Sequence, residues 1–355
     1  MEEVRRVPAE ALLQFTAEAF RELGVLPEDA TVAAEALVHA DLLGIDSHGV
    51  ARLATHPGYV RGLRRGLVAP RAQLRVEHET AATARLDGGS GLGAVVATRA
   101  MELAIAKAQA AGAGFVAVAN SHHFGVACHY ATMALSHDMI GIAMTNAAPQ
   151  VVPTFGRRAA LGTNPLSLAA PAGSERPLVV DIASSVVSAG KVDLVGRAGG
   201  AIPSGWLVDR DGLPTTDPAA LWNGGALLPL GSRPELGSYK GYGLAVAVDV
   251  LCGLLSGAGY SAMLETEGWS AGHFLAALRI DAFRPAARFK AMMDAMIRSL
   301  KAVEPAPGAE RVYVHGEKEL ATEEERRRLG VPLHPDVLKS LRDLSVELRV
   351  PFPWR

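Results

Sequence analysis

Cysteine is scarce in this 355-residue chain, which contains only Cys128 and Cys252. Two cysteines exclude a disulfide framework and favour a reducing compartment. The net charge is small too: 35 basic and 37 acidic side chains leave a formal charge of −2, so no basic surface for a nucleic acid is expected. The N-terminus lacks the apolar core and cleavage site of a secretory signal. These absences predict a cytoplasmic protein that has no nucleic-acid partner.

A membrane-spanning run is also missing. The longest apolar stretch, GLAVAVDVLCGLLSGAG, carries Asp249 in its middle and is too short to cross a bilayer comfortably. We expect it to form a buried core helix, and we expect no membrane association. What the chain does have is a hydrophobic content of 49%, which is ample for a large core shared by two lobes or domains.

The periodicity of apolar residues predicts helices at both ends of the chain and strands between them. Helical spacing covers residues 9–23, 28–43, 94–112, 240–256, 286–303, 322–329 and 335–348. Strand-like runs cover residues 73–79, 83–88, 115–120, 140–146, 165–170, 177–183, 273–280 and 311–316. This order indicates an α/β protein in which a helical lobe, built from residues 1–73 and 316–355, packs on a sheet-based domain formed by residues 74–315.

Three short motifs have the outline of known active-site loops, and each lacks a required residue. GGSGLGA at 88–94 has the glycine spacing of a dinucleotide fingerprint, but the next strand ends in Asn120 instead of an acidic residue. SVVSAGKV has Ser185 and Val192 where a phosphate loop needs glycine and a hydroxyl. GIDSHG has Ile45 where a nucleophile elbow needs glycine. A glycine-rich turn is therefore the better interpretation of 88–94.

Histidines are dense between residues 122 and 137, which raises the question of a metal site. They are His122, His123, His129 and His137. No carboxylate or cysteine falls at a recognised ligand spacing such as H-E-x-x-H. We therefore expect no metal, and we predict that these side chains lie at the surface or form hydrogen bonds.

The stretch GIDSHGVARL, residues 44–53, gathers an acid, a hydroxyl, an imidazole and a guanidinium just past a predicted helix end. His48 and Arg52 are four residues apart, so a helix that starts near Gly49 would turn both toward one pocket. An imidazole can donate or accept a proton near neutrality, and a guanidinium binds a carboxylate with two hydrogen bonds. The pair suits a small acid whose neighbouring carbon bears an oxygen or nitrogen that gains a proton. A helix cap and a surface ion pair are the alternatives for the same two residues.

Polar turns at the ends of apolar segments form a second set of candidates. They are NSHHFG (120–125), LGTNP (161–165), VVDIASS (179–185) and YKGYG (239–243). Asp181 lies inside an apolar run, so it must bond a cation, an imidazole or a ligand. Lys240 begins a predicted helix, where the helix N-terminus already attracts anions. Together with the acid–base pair, these turns indicate a phosphorylated cofactor beside a small acidic substrate.

The whole chain resembles the malate/L-lactate dehydrogenase family that lacks a Rossmann fold. That family also includes ureidoglycolate dehydrogenase, sulfolactate dehydrogenase, diketogulonate reductase and Δ1-piperideine-2-carboxylate reductase. The matching stretches, in family order, are ADLLGIDSHGVARL, NSHHFGVACHYATMA, LGTNPLSLAAP, VVDIASSVVSAGKV, IPSGWLVDRDGLPTTDP, LLPLGSRPELGSYKGYGLAVAVDVLCGLLSGA, GHFLAALRIDAF and VHGEKE. The resemblance implies a non-Rossmann, largely antiparallel or mixed central sheet that binds NAD or NADP, and a homodimer.

The resemblance also implies a role for each matched residue. His48 is the expected proton donor or acceptor, and Ser47 and Asp181 are its expected relay partners. The substrate residues are Arg52, as the carboxylate clamp, and Thr163. The expected dinucleotide contacts are His123, Phe124, Gly125, Asp181, Ile182, Ala183, Ser184, Ser185, Lys240, His315, Gly316 and Glu317. Departures from the family pattern are Cys128 and His129, where a Gly-Tyr pair is common, and His315, where proline is common.

The expected function is hydride transfer between a nicotinamide and C2 of a small 2-hydroxy or 2-oxo acid. A cyclic imino acid, such as Δ1-piperideine-2-carboxylate or Δ1-pyrroline-2-carboxylate, is the alternative substrate within the same class. A non-catalytic ligand-binding protein is the alternative from a different class.

Overall fold

The structure, a computed structural model, describes residues 4–197, 199–264 and 270–354. Its strands are β1 (Arg5–Val7), β2 (Arg75–Glu79), β3 (Thr83–Asp87), β4 (Ala113–Ser121), β5 (Met139–Thr145), β6 (Leu166–Ala170), β7 (Leu178–Ile182), β8 (Leu207–Val208), β9 (Pro214–Thr215), β10 (Ala226–Leu227), β11 (Ala271–Arg279) and β12 (Val331–Leu333). Its α-helices are α1 (Ala9–Glu22), α2 (Pro27–Leu42), α3 (Ala51–Thr55), α4 (Val60–Arg64), α5 (Gly93–Ala111), α6 (Ala127–Ala131), α7 (Ala189–Arg197), α8 (Ser238–Val248), α9 (Ala286–Lys301), α10 (Glu317–Leu329) and α11 (Pro335–Leu348).

The centre of the molecule is a seven-stranded mixed sheet in the order β2-β3-β4-β11-β5-β6-β7. β3 and β4 run parallel because α5 carries the chain back across the sheet between them. The other neighbouring pairs in this sheet are antiparallel. A doubly wound dinucleotide fold needs a mostly parallel sheet. The prediction of a non-Rossmann, largely antiparallel or mixed sheet is therefore confirmed.

Both ends of the chain build one helical layer beside this sheet. β1 pairs with β12, so Val7 lies opposite Val331. Phe20 and Leu37 pack in the same apolar cluster as Leu341. The amphipathic spacing of α1 and α11 turns these side chains inward. The division into two domains after residue 73 and before residue 316 stays a prediction.

Several parts of the chain differ from the sequence-based expectation. α10 begins at Glu317 and not at residue 322, and the short elements β1, β12, α6 and α7 were not predicted. Residues 311–316 are not a strand: the His315 carbonyl accepts a hydrogen bond of 3.3 Å from the Val179 N–H, and the chain then turns at Gly316, whose φ is +86°. The glycine- and proline-rich segment 199–237 contains a small sheet, β10-β8-β9. Its strands are two residues long, too short for periodicity to indicate them.

The long apolar run forms a helix, but the prediction that this helix is buried is wrong: Ala245, Val248 and Cys252 are buried, whereas Val246, Val250 and Leu254 are exposed, because only one side of the helix packs on the rest of the chain. The helix begins at Ser238 and changes at Asp249–Leu254 into a π-helical turn. Among the described residues, no helix combines the length and the apolar character needed to cross a membrane.

Candidate active site

The turn before α3 is held on both sides. It is a short 3₁₀ turn, Asp46–His48. The buried carboxylate of Asp41 accepts a hydrogen bond of 2.8 Å from the Val50 N–H, which closes the loop around the turn. On the outer side, Arg326 of α10 donates to the Asp41 carbonyl and forms an ion pair with Asp46. The N-terminal and C-terminal helices thus hold this turn together.

Ser47, His48 and Arg52 meet here. The Ser47 hydroxyl lies 2.9 Å from His48 Nδ1, and Arg52 Nε donates to the Ser47 carbonyl over 2.6 Å. Gly190, near the start of α7, forms one wall: a Cβ at this position would lie 3.1 Å from both Arg52 Nη2 and Ser47 Cβ. Ser47 thus joins His48 to Arg52 at this candidate pocket, but not through one helix: His48 ends the 3₁₀ turn, Gly49 is extended and Arg52 lies in α3.

Two further histidines line the same pocket. The His123 ring stacks on His48 with centroids 5.6 Å apart, and the His56 ring lies 4.4 Å from His123. The Tyr59 hydroxyl is 2.8 Å from His123 Nδ1. His56 and Tyr59 were not among the predicted site residues. The sequence could have suggested His56, because it follows Arg52 by four residues, the spacing that puts two side chains on one face of a helix.

Burial keeps these imidazoles neutral. Two effects lower the pKa of His48 to about 4: burial, which is the larger, and the positive charge of Arg52. The same two causes, in the same order, lower the pKa of His56 to about 3. Burial and the neighbouring His56 hold the pKa of His123 well below its usual range. At neutral pH the Arg52 guanidinium is therefore surrounded by neutral rings that can donate and accept hydrogen bonds.

Asp181, in β7, bonds to α6. Its carboxylate accepts a hydrogen bond of 2.9 Å from the Cys128 N–H and another from the Cys128 thiol. Burial raises the pKa of Asp181. Within the described part of the chain no hydrogen bond joins Asp181 to His48, so its relay role stays a prediction. Both departures from the family pattern in α6 have partners, since His129 Nδ1 lies 2.9 Å from His39 Nδ1.

The turn at 123–125 is held from behind by aromatic rings. The Phe124 ring stacks between Tyr130 and His273, with centroid distances of 4.8 and 4.7 Å. The Tyr130 hydroxyl donates to the Phe124 carbonyl. Gly125 has a φ of +83°, a conformation that favours glycine. With only 1% of Phe124 exposed, its ring supports the backbone of the turn from the core side.

Three of the four polar turns predicted from the sequence, 161–165, 179–185 and 239–243, are linked to one another. The Thr163 carbonyl accepts hydrogen bonds of 2.9 Å from both the N–H and the hydroxyl of Ser184. The Ser184 carbonyl in turn accepts a hydrogen bond of 2.8 Å from the Leu230 N–H. Leu230 abuts Gly241, where a Cβ would lie 2.4 Å from the Leu230 nitrogen. The end of β7 therefore links the Thr163 turn to the first turn of α8, which carries Lys240.

The remaining predicted cofactor residues lie beside β7 and at α8. Gly316 packs so closely on Val179 that a Cβ would lie 2.8 Å from the valine Cβ. Glu317 forms an ion pair of 2.8 Å with Arg311. The exposed Lys240 ammonium forms no ion pair with any described acid and lies 5.9 Å from its neighbouring Tyr239 ring.

The glycine-rich turn 88–94 is occupied by the protein's own backbone. The N–H groups of Gly88 and Ser90 donate, over 2.9 Å each, to carbonyls at the end of β4. Gly93, the first residue of α5, abuts the His122 carbonyl oxygen, from which a Cβ would be only 2.1 Å away. A dinucleotide fingerprint needs free N–H groups at this point for the pyrophosphate. This turn does not offer them.

The linked turns do fit a nicotinamide dinucleotide. The Lys240 ammonium, in the first turn of a helix, suits a phosphate. At Gly316 a side chain would not fit, so only backbone is available there to contact a ligand. Arg52, beside neutral imidazoles, suits the carboxylate of a small acid. Among the described residues, no group of three or more His, Cys, Asp or Glu side chains could hold a metal ion.

Comparison with known proteins identifies the family. Residues 7–342 match the family model described as malate/L-lactate dehydrogenase. The chain belongs to the malate/L-lactate dehydrogenase family. A malate dehydrogenase of Pyrococcus horikoshii is 43% identical over 349 residues, covering 97% of this chain and 96% of the relative.

Two solved structures show how far the likeness of this dehydrogenase extends. Malate dehydrogenase from Entamoeba histolytica superposes with a TM-score of 0.95 at 34% identity, covering 99% of this chain and 100% of the other. Δ1-Piperideine-2-carboxylate reductase from Pseudomonas syringae superposes with a TM-score of 0.84 at 30% identity, covering 96% and 99%. The protein is thus an oxidoreductase that acts on a hydroxy acid with a nicotinamide cofactor, and not a non-catalytic binding protein.

Proposed function

We propose that this dehydrogenase interconverts a small 2-hydroxy acid and its 2-oxo acid with NAD or NADP, and that malate and oxaloacetate are the first pair to test. The observation that carries the proposal is the Arg52 guanidinium beside a neutral His48 whose Nδ1 contacts Ser47. A guanidinium that binds the carboxylate places the C2 oxygen within reach of the imidazole. The Pyrococcus horikoshii relative is named a malate dehydrogenase.

His48 handles the proton on the C2 oxygen. With Nδ1–H donating to the Ser47 hydroxyl, Nε2 has a free lone pair that accepts the proton of the substrate hydroxyl. In the reverse direction the imidazolium donates its Nε2 proton to the C2 oxygen and returns to the neutral ring. The Ser47 hydroxyl accepts a hydrogen bond from Nδ1–H in both protonation states and so holds the ring in one orientation. The nicotinamide, when bound, supplies the hydride acceptor or donor.

We expect one set of residues to hold the cofactor beside this proton site. They are the turns His123–Gly125, Asp181–Ser185 and His315–Glu317, together with Lys240. Lys240 would bind a phosphate, because it lies in the first turn of α8 and its ammonium forms no ion pair with any described acid. Asp181, hydrogen-bonded to Cys128, would act on the His48 ring only after a rearrangement of its contacts.

Reduction of a cyclic imino acid is the second candidate reaction. The likeness to Δ1-piperideine-2-carboxylate reductase favours it. The same two side chains would serve, with Arg52 binding the carboxylate and His48 donating a proton to the ring nitrogen.

A substrate panel with each cofactor tests the proposal. We would follow NAD(P)H absorbance with malate, lactate, ureidoglycolate, sulfolactate and Δ1-piperideine-2-carboxylate, and we expect turnover of a 2-hydroxy acid. His48→Ala should lower kcat by about 10²–10⁴-fold and leave NAD(P)H binding intact. His137→Ala, at an exposed position, is the matched control. No turnover across the panel would contradict the proposal, and a fully active His48→Ala would move the proton transfer to another ring, with His123→Ala as the next variant.

We also propose that the enzyme is a homodimer that pairs through α8 and the π turn. Tyr239, Val246, Val250 and Leu254 follow one another at helical spacing and are each between 38% and 57% exposed. An apolar stripe of this kind marks an interaction surface, and a two-fold dimer buries the same patch twice. Val250→Asp should give a monomer in light scattering after gel filtration, whereas Val346→Asp, on exposed α11, should not. A monomeric wild-type protein would contradict this assembly.

We infer a cytoplasmic location as well. Cys128 and Cys252 are both free and buried. Free thiols of this kind suit a reducing compartment. Cell fractionation against compartment markers tests the inference, and recovery outside the cytoplasmic fraction would overturn it.

A further inference from the structure

We propose that Asp249 is a positioning residue that holds the Thr163 turn in place through Ser261. The inference rests on the proposed function, to which it adds the substrate role that the family resemblance implies for Thr163. It concerns a carboxylate that the sequence places in the middle of the longest apolar run.

Asp249 is a buried acceptor at the point where α8 becomes a π-helical turn. It is 5% exposed. One carboxylate oxygen accepts three hydrogen bonds: from Asn146 Nδ2 at 3.1 Å, from the Ser261 N–H at 3.0 Å and from the Ser261 hydroxyl at 2.9 Å. A carboxylate taken out of water needs such bonds to remain there. Asp249 therefore fixes the position of the Ser261 hydroxyl.

The Ser261 hydroxyl connects this carboxylate to the Thr163 turn. Its oxygen accepts a hydrogen bond of 2.9 Å from the Gly162 N–H, directly before Thr163. Gly162 packs so closely on the chain at Ala147 that no side chain would fit, since a Cβ would lie 2.4 Å from the Ala147 carbonyl oxygen. The residue before Thr163 is thus tied to Asp249 by two consecutive hydrogen bonds.

The residue after Thr163 is tied to the same helix. Asn164 is fully buried and has a φ of +35°, in the left-handed region that few side chains adopt. Its side-chain oxygen accepts from the Ala147 N–H at 3.1 Å, and its Nδ2 donates to the Ala245 carbonyl of α8 at 2.9 Å. Both neighbours of Thr163 are therefore anchored to the α8–π segment, and Thr163 itself is bonded to Ser184.

This arrangement serves placement more than stability. An apolar side chain would be the ordinary occupant of the position, because the surrounding run is apolar and buried carboxylates cost desolvation energy. Single π-helical turns inside α-helices occur frequently at functional sites. Substrate-contacting groups need placement to within a fraction of an ångström, since a displacement of about 1 Å costs about 10²-fold in rate.

The test combines two conservative variants with a matched control. Ser261→Ala removes the hydroxyl between Gly162 and Asp249, and Asp249→Asn keeps the shape of the side chain but removes its charge. The control is Asp294→Asn, because Asp294 also accepts backbone hydrogen bonds, at 2.9–3.1 Å, from Gly173, Ser174 and Glu175. Each variant is measured for kcat and KM with the best 2-hydroxy acid, for NAD(P)H affinity by fluorescence and for unfolding in urea.

We expect Ser261→Ala to lower kcat/KM about 10-fold or more, and we expect a smaller loss of kcat/KM in Asp249→Asn. The control Asp294→Asn should lose a similar amount of stability to these variants and keep normal kcat and KM. Adding Ser261→Ala to Thr163→Ala should cause little further loss, because both changes act on one turn. Multiplicative losses in that double variant, or normal kinetics in Ser261→Ala beside an impaired Thr163→Ala, would overturn the positioning role alone. A fully active Thr163→Ala would instead remove Thr163 from the site and overturn that part of the proposed function with it.

Discussion

Gly190→Ala should separate activity from stability in this enzyme. The new Cβ would lie 3.1 Å from Arg52 Nη2 and from Ser47 Cβ, whereas carbon contacts prefer about 3.5–4.0 Å. Both neighbours are therefore too close to the new Cβ and must give by a few tenths of an ångström. The Arg52 guanidinium moves more easily than Ser47, because it ends a flexible side chain and Ser47 is held by its turn. We expect kcat/KM for the acid substrate to fall by about 10-fold, mainly through KM, because the carboxylate clamp is displaced.

The stability of the same variant should move in the other direction. Gly190 lies in α7, where alanine favours the helix over glycine by about 0.5–1 kcal/mol. Gly196→Ala in the same helix is the control, since its Cβ would meet only the Pro218 side chain at 3.3 Å. Steady-state kinetics and urea unfolding of the two variants measure both effects. A Gly190→Ala enzyme with an unchanged KM would show that this wall does not set the position of Arg52.

Further variants and conditions test the other parts of the site. Arg52→Lys keeps the charge but loses the planar fork, so the KM for the acid should rise while NAD(P)H affinity stays constant; an unchanged KM would argue against the clamp. Lys240→Ala should weaken NAD(P)H binding in a fluorescence titration. Gly91→Ala, whose Cβ would lie 2.6 Å from a neighbouring alanine, should lower stability instead, and the reverse pattern would restore the glycine-rich turn as the cofactor site. Acid should destabilise the fold, because burial lowers the pKa of His56 and of His129 to about 3, so below about pH 6.5 the unfolded chain binds protons that the folded chain does not. Urea titrations should show the free energy of unfolding falling as the pH falls from about 6.5 toward 3, and a constant value would contradict the burial of these rings.

Local sequence patterns determined much of this protein. The spacing of apolar residues predicts α1 and α2 to within a residue or so, because proline and glycine mark where the second helix begins and ends. His48 and Arg52 are close along the chain, so their four-residue spacing singles them out together, although they lie in a 3₁₀ turn and in α3 and not on one helix. The missing acidic residue after β4 argues against a dinucleotide fingerprint at 88–94, and the mixed sheet agrees with that reading. These features can be predicted from the sequence because each depends on residues that are close to one another along the chain.

Tertiary packing decided what local patterns could not. His123 meets His48, His56 and Tyr59 only because the chain folds the end of β4 against the turn before α3, and no spacing in the sequence encodes those contacts. Asp181 was expected to orient His48, yet its hydrogen bonds go to α6, because the side-chain partner of a strand residue depends on which helix covers the sheet. Asp249 looked like an isolated acid in an apolar helix, and the structure supplies its partners: Ser261, which follows the helix, and Asn146, which is 103 residues away in the chain. Contacts between segments far apart in the sequence depend on the complete packing of sheet and helices, so only the three-dimensional structure could show them.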